Sequence, residues 1–414
     1  MARTIIFILD LQDSDLADLE GIMRRVLLPA FILSSLFIPV AAVSQQQATS
    51  GIQFSGFIKM DAFFDTRQNI TAREGHFLLF PAAKQIDQDG TDRNAASNFN
   101  ILAIQTRLKG ESTGPEAFGA KTHGIIEGAF FGNSESDING FRLRHAYLKL
   151  KWTSTTVLFG QYWHPMFVTQ AYPGVVSFNT GVPFQPFSRN AQIRVTRSFG
   201  SHLQLIGAAL SQRDFTSPGG SASLRNAAAP NIHIQSQLSW ENAAMGAGFD
   251  YKELRPDISI DEKVKGTSWF GFARLTRGSL QLKTLGVFGS NLYDHLMLGG
   301  YCKYIDGDRT RYAPMNSYAG WGEISYGGKN QIALFAGFTK SAFPDDDKPD
   351  EIYARGSNID RVMRLSPRII RHSGTVRMAL ELEYTSARYL SEIETEESST
   401  VSNIRLLFAS YMFF

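Results

Sequence analysis

Ile404-Arg405-Leu406-Leu407-Phe408-Ala409-Ser410-Tyr411-Met412-Phe413-Phe414 closes the chain, and the fold class follows from its reading. Taken in steps of two, it separates into Ile404, Leu406, Phe408, Ser410, Met412 and Phe414 against Arg405, Leu407, Ala409, Tyr411 and Phe413. Successive side chains of a strand point to opposite faces, so both faces of this strand carry bulky apolar groups. Chain ends in water usually fray or are solvated. This one is among the most apolar segments of the sequence, which points to a membrane barrel rather than an enzyme.

The opening strand has the complementary pattern. Ile52, Phe54, Gly56, Ile58, Met60, Ala62 and Phe64 oppose Gln53, Ser55, Lys59, Asp61 and Asp65. That is apolar outward and polar inward at period two, as a wet lumen requires. Ala120, Thr122, Gly124, Ile126, Gly128 and Phe130 stand in the same way against Lys121, His123 and Glu127, and Thr267, Trp269, Gly271, Ala273 and Leu275 form another such face. Further strand-like segments lie near 98–109, 140–152, 155–163, 191–198, 202–213, 231–241, 243–254, 279–291, 296–305, 316–326, 329–340, 357–365, 374–388 and 401–414, about seventeen in all. Single-chain bacterial barrels have even strand numbers. Sixteen is therefore expected, with one weak pair merged, and eighteen is the other even choice. No stretch after residue 44 approaches the ~20 apolar residues of a spanning helix. Lipid cannot satisfy an open sheet edge, which leaves an all-β, closed antiparallel transmembrane barrel.

The beginning of the chain agrees. Met23-Arg24-Arg25, the apolar run Val26–Val43 and the small residues Ala42 and Ser44 before Gln45 have the form of a secretory signal over 23–44. Residues 1–22 carry Asp10, Asp13, Asp15, Asp18 and Glu20, wrong for the start of a signal, so 1–22 is read as a mis-assigned upstream extension and Met23 as the start. Residues 45–414 then form a single barrel domain. The formal net charge is only +2, which does not describe a nucleic-acid binder. The single cysteine, Cys302, allows no intrachain disulfide and is expected to be a small apolar wall residue. Aromatic residues at 12% and 36 glycines suit a barrel with aromatic girdles and tight turns.

Short connections such as Glu241-Asn242, Arg277-Gly278 and Gly327-Gly328-Lys329-Asn330 are expected at the periplasmic end, and the longer polar stretches 66–97, 213–230, 253–266, 306–315, 341–356 and 389–400 at the extracellular end. Residues 164–190 fit neither class. They are too long and too apolar for an exposed loop, and Pro173, Pro183 and Pro186 stiffen them. Folding into the barrel as a constriction explains them; packing on a neighbouring protomer is the alternative.

Phe141-Arg142-Leu143-Arg144-His145-Ala146-Tyr147-Leu148-Lys149-Leu150, followed by Phe159-Gly160-Gln161-Tyr162-Trp163-His164-Pro165-Met166-Phe167, resembles the trimeric DcaP-like and phosphate-selective porin families. The resemblance covers residues 52–215 and the C-terminal strand. There an Arg-rich strand with an R-x-A-Y core precedes a G-Q-x-W strand end that launches the pore-constricting loop. It implies a lumenal arginine ladder that attracts phosphate or dicarboxylates, with Arg142 and Arg144 as members, and a homotrimer. The terminal Phe414 likewise resembles the assembly signal read by the barrel-assembly machinery. The chain lacks the dense lysine cluster of phosphate-specific members.

Alternation alone makes Lys59, Arg107, Lys109, Lys121, Arg142, Arg144, Arg194 and Arg274 lumenal, with Asp61, Asp65, Glu127, Glu323, Glu381 and Glu383 as acidic counterparts. Pore-lining or constricting roles are expected for Arg107, Lys121, Arg142, Arg144, Arg194, Tyr162, Trp163, His164, Phe184 and Arg189. Simple salt-bridging of the wall is the alternative. The histidines are scattered over separate strands without metal-ligand spacing, and Asp87-Gln88-Asp89-Gly90-Thr91-Asp92 and Asp345-Asp346-Asp347 are read as solvated loop charge, so no metal or cofactor is expected. The functional expectation is a porin of the bacterial outer membrane, passing small anionic or neutral hydrophilic solutes among lipid and lipopolysaccharide, and not an enzyme. A non-conducting structural or adhesion barrel and a barrel hydrolase are the alternatives; no short motif marks the nucleophile that the latter needs.

Overall fold

The computed structural model describes residues 51–132, 134–344, 348–390 and 398–414. The expectations for residues 1–22 and 23–44 and for Asp345-Asp346-Asp347 lie outside the described residues. The wall opens with Gln53–Asp65 and ends with Ser399–Phe413, and these two strands pair antiparallel, Phe57 opposite Phe413 and Asp65 opposite Arg405. Gly56 and Phe414 exchange backbone hydrogen bonds of 3.0 and 3.2 Å, so the last residue takes part in closure.

Between the two strands the chain runs as a meander. Its strands are Arg107–Ala117, Ala120–Ala129, Arg142–Lys151, Thr155–Trp163, Arg189–Phe199, Leu203–Ser211, Asn231–Ser239, Ala243–Leu254, Val264–Arg277, Leu280–Ser290, Asn316–Gly327, Asn330–Ala342, Ile359–Ser373 and Val376–Tyr389. Asn98–Leu102 shares the wall position of Arg107–Ala117, since the first pairs with Asp61–Asp65 and the second with Gln53–Phe57. The result is a closed antiparallel barrel of sixteen strands, as expected.

The alternation sorts side chains by environment. Phe54, Ile58, Phe64, Ile404, Leu406, Met412 and Phe414 are exposed on the outer face, whereas Lys59, Asp61, Asp65, Arg405 and Leu407 are buried within. A charge inside a barrel is stable only when paired or hydrated, and Arg405 meets Asp65 through two bonds of 2.9 and 2.7 Å.

The segment 296–305 departs from the expectation. It is no wall strand: Gly299–Asp306 pairs with Arg309–Pro314 and Glu351–Arg355 in a separate three-stranded sheet. Gly299, Gly300, Tyr301 and Cys302 are all buried, so neither face is presented to lipid and Cys302 is a residue of this loop sheet rather than of the wall. The expected 357–365 is too short. Its strand runs through Pro367 to Ser373, and the missing N–H of that proline leaves only a gap in the pairing with Val376–Tyr389. The loop 66–97 is not wholly extracellular in character. Its hairpin Asn69–Ala72 with Phe77–Pro81 turns inward, and all of Phe77–Pro81 is buried.

That hairpin meets the segment 164–188, which folds into the barrel as expected. Phe77, Phe178 and Phe187 lie edge-to-face, with ring centroids 4.5 and 5.5 Å apart about Phe77. Phe131 stands 4.0 Å from Phe178. Each such ring stabilises by about 1.5–3 kcal/mol when removed from water. An apolar segment inside a polar barrel is thus held by the same force that holds a soluble core. The alternative, in which the segment packs against a neighbour, is set aside because its apolar groups are already covered by its own chain.

Candidate functional site

A β-bulge sets up the site. In Arg142–Lys151, Glu127 faces His145 and Gly128 faces Leu143, so Arg144 is an extra residue in the ladder. Parity flips there, and Arg144 and His145 both turn inward while Leu143 and Leu148 stay exposed on the outside. Gln161 holds the bulge by donating from Nε2 to the carbonyls of Leu143 and Arg144 at 3.3 and 3.0 Å. A second irregularity, at residues 103–106, lets Arg107 face the same space, with Thr106 Oγ1 accepting the Lys59 amide at 3.1 Å.

Arg107 and Arg144 share Glu127, at 3.5 and 2.8 Å. Both line a cavity of about 510 Å³ between the inward segment and the wall. Trp163, Phe167, Tyr172 and Phe178 border it on one side and Phe57, Arg377, Tyr411 and Phe413 on the other. Arg377 lies flat over Tyr411, 3.7 Å from its ring centroid, and Arg107 over Phe57 at 4.9 Å. The charged side chains lining the cavity are Arg107, Arg144 and Arg377, and no carboxylate is among them.

Three other lumenal carboxylates are engaged elsewhere. Glu323 accepts the Gly174 amide at 2.7 Å, Glu381 accepts the Val176 and Ser177 amides, and Glu383 accepts Asn179 Nδ2 at 2.7 Å. Arg364 donates to the Val182 carbonyl at 2.8 Å, and Arg368 pairs with Glu323 at 2.9 Å. Lys59 donates to the Val176 carbonyl at 3.0 Å. The tip of the inward segment is therefore tied to strands on the far side of the barrel. Of the expected acidic counterparts, Glu323, Glu381 and Glu383 hold the segment, while Glu127 is taken up by Arg107 and Arg144.

The expected site residues divide into groups. Arg107, Arg144 and Trp163 line the cavity. Arg142 and Arg189 converge instead on Asp214, at 2.6 and 2.7 Å, and fix the connection after Leu203–Ser211. Burial would raise the Asp214 carboxyl, but these two guanidiniums hold it below its ordinary range. Arg194 stacks on Tyr162 at 5.3 Å and donates to the Trp163 carbonyl, bracing the strand end that launches the segment. Phe184 is fully buried against Phe335 under Arg364. Lys121 lies at the exposed end of its strand, opposite Lys151 and away from the cavity. His164 starts the inward segment and faces Asp250 at 3.2 Å.

Arg377, Arg364 and Arg368 were not among the sequence-derived candidates, although the signal existed. Arg377 has the parity of Glu381 and Glu383 on one strand, and Arg364 shares that of Ser366 and Arg368. Local spacing does not group the histidines, yet the fold assembles His164, His233 and Asp250 into a buried group.

Neither a protein-family model nor a curated protein sequence matches this chain. Solved structures do. The outer membrane channel DcaP of Acinetobacter baumannii is similar with a TM-score of 0.69 and 17% identity, over 90% of this chain and 100% of that one. The anion-selective porin from Comamonas acidovorans has a TM-score of 0.55 at 11% identity, over 88% and 100%. OmpT of Vibrio cholerae in its trimer form has 0.54 at 10%, over 89% and 100%. At these identities the likeness is one of fold, and the chain has the sixteen-stranded fold of the outer-membrane barrels, nearest in shape among these three to DcaP.

Proposed function

We propose that this chain is a porin of the bacterial outer membrane, passing small hydrophilic solutes by diffusion with a preference for anions such as dicarboxylates or phosphate. The observation that carries the reading is the cavity beside the inward segment, whose charged lining is guanidinium only. In a narrow, partly desolvated passage such a lining lowers the energy of an anion relative to a cation. Aromatic faces beside the arginines offer apolar contact to the carbon skeleton of an organic anion. The resemblance in fold to a porin described as anion-selective and to a channel supports the reading, as it supports a channel over an enzyme.

Export through a cleaved signal at 23–44, insertion by the barrel-assembly machinery through Phe414, and contact with lipid and lipopolysaccharide belong to the same proposal. So does a homotrimer, in line with the trimer form of the Vibrio neighbour. Single-channel recording of residues 45–414, refolded into a planar bilayer under a salt gradient, tests it. Discrete steps, grouped in threes, with a reversal potential on the anion side are expected. A folded barrel that stays silent would defeat the proposal in favour of a non-conducting structural role.

A further inference from the structure

His164 follows the strand Thr155–Trp163 and begins the inward segment. Its side chain reaches past two wall strands to His233 on Asn231–Ser239 and Asp250 on Ala243–Leu254. All three residues are essentially closed to solvent, at 0, 0 and 2% exposure. His164 Nε2 lies 3.2 Å from Asp250 Oδ2, and His233 Nδ1 lies 3.2 Å from the same oxygen. One ligand atom from each residue falls within 4.8 Å of the others, the one such group among the described residues. His164 Nε2, though buried, makes no hydrogen bond of acceptable geometry.

These distances have a chemical meaning. Bonds of about 2.0–2.2 Å from nitrogen and oxygen to a tetrahedral metal place neighbouring ligand atoms about 3.3–3.6 Å apart. Two edges of such a tetrahedron are thus nearly formed before any ion enters. The other ring nitrogen of His233, Nε2, sits 3.2 Å from Gln235 Oε1, the outer contact that orients a metal-bound imidazole. We propose that His164, His233 and Asp250 bind one first-row transition-metal dication, with zinc the best match to two imidazoles and a carboxylate, and that the ion clips the root of the inward segment to the wall.

The remaining charges nearby suit this assignment. Asp294 is paired with Lys252, so Asp250 is the carboxylate left to face the ion. His295 packs edge-on 4.6 Å from the His164 ring and helps to hold it in place. Coordination through Nε2 moves the His164 proton to Nδ1. That step gives up the 3.2 Å bond Nδ1 accepts from the Met166 amide, so His164 readjusts while His233 and Asp250 are preset. A chain with one cysteine has no disulfide to fasten this segment, and a metal clip is the cross-link its residues can make.

The test is metal content of the refolded full-length barrel, stripped with chelator, loaded with zinc chloride and dialysed. One zinc per chain is expected, lost in His233→Ala and in Asp250→Asn and kept in His202→Ala and His372→Ala, which alter exposed histidines. Cobalt loading should give the intense visible absorption of a four-coordinate ion, which surface histidines do not produce. Zinc in the wild type no higher than in Asp250→Asn, or a weak six-coordinate cobalt spectrum, would overturn the site and leave a hydrogen-bonded His–Asp–His contact. Folding of each variant is checked by heat-dependent electrophoretic mobility; should Asp250→Asn fail to fold, the wild-type cobalt spectrum decides alone.

Discussion

Two regions of one lumen use charge in opposite ways. Around Glu323, Glu381 and Glu383 every carboxylate is matched to a backbone amide, an asparagine or an arginine, and the inward segment is hydrogen-bonded to them. Around Arg107, Arg144 and Arg377 the positive groups border a cavity and rest on aromatic faces. Alternation along the strands cannot separate the two, because both sets point inward. What separates them is where a proline-stiffened segment comes to rest. A lumenal charge borders open space or anchors the segment according to where that segment lies.

The contrast can be broken most severely on the acidic side. Glu381→Ala with Glu383→Ala removes acceptors for Val176, Ser177 and Asn179, and hydrogen bonds to charged groups contribute about 1.5–3 kcal/mol each. The tip of the segment should come loose, with a larger, flickering single-channel conductance and a lower unfolding temperature. Conductance identical to wild type would show that these acids do not fix the constriction.

On the basic side the fold should survive and selectivity should change. Arg377→Glu replaces a lining cation by an anion, and a local energy change of about 1 kcal/mol corresponds to roughly fivefold in relative permeability. The reversal potential in a salt gradient should move toward cations by that factor. Pairing it with Arg107→Gln should move it further, and an unshifted potential would remove both residues from the path.

A smaller effect should appear with acid. The Asp214 carboxyl is held below its ordinary range by Arg189 and Arg142 after burial is overcome. A depressed acid stabilises the fold above its unfolded value, about 3.9, and that contribution is lost as pH falls through the lower folded value. The unfolding midpoint should therefore decline below about pH 4, and Asp214→Asn should flatten that decline. Arg142→Ala should weaken the same anchor with little change in selectivity. The smallest response belongs to Lys121→Glu at the exposed strand end, where no resolvable shift in reversal potential is expected; a shift would relocate the passage.

Much of this architecture was legible in the chain itself. The facing sets Ile58, Met60, Ala62 and Phe64 against Lys59, Asp61 and Asp65 place one side of a strand in lipid and the other in the lumen, and strand count follows by repetition. The run 296–305 misled because a short apolar run has the same composition whether it faces lipid or a filled interior, whereas Phe77–Pro81 was hidden within 66–97, whose overall polarity reads as an exposed loop. The site was legible in part. Arg107, Arg144 and Trp163 could be placed by parity and by the strand end, but the bulge that turns Arg144 and His145 to the same side depends on pairing with Glu127 and Gly128. The meeting of His164 with Asp250 depends on tertiary structure alone, since no local spacing joins them.

The anchoring of the inward segment also orders events in time. Gly174 waits for Glu323, 149 residues later, and Val176 for Glu381, 205 residues later. Contacts so distant along the chain form late, because the closure entropy of long loops opposes them until the sheet is in place. The narrowing of the lumen is then a final step of assembly, and a barrel caught shortly before it would be a wider hole than the finished one.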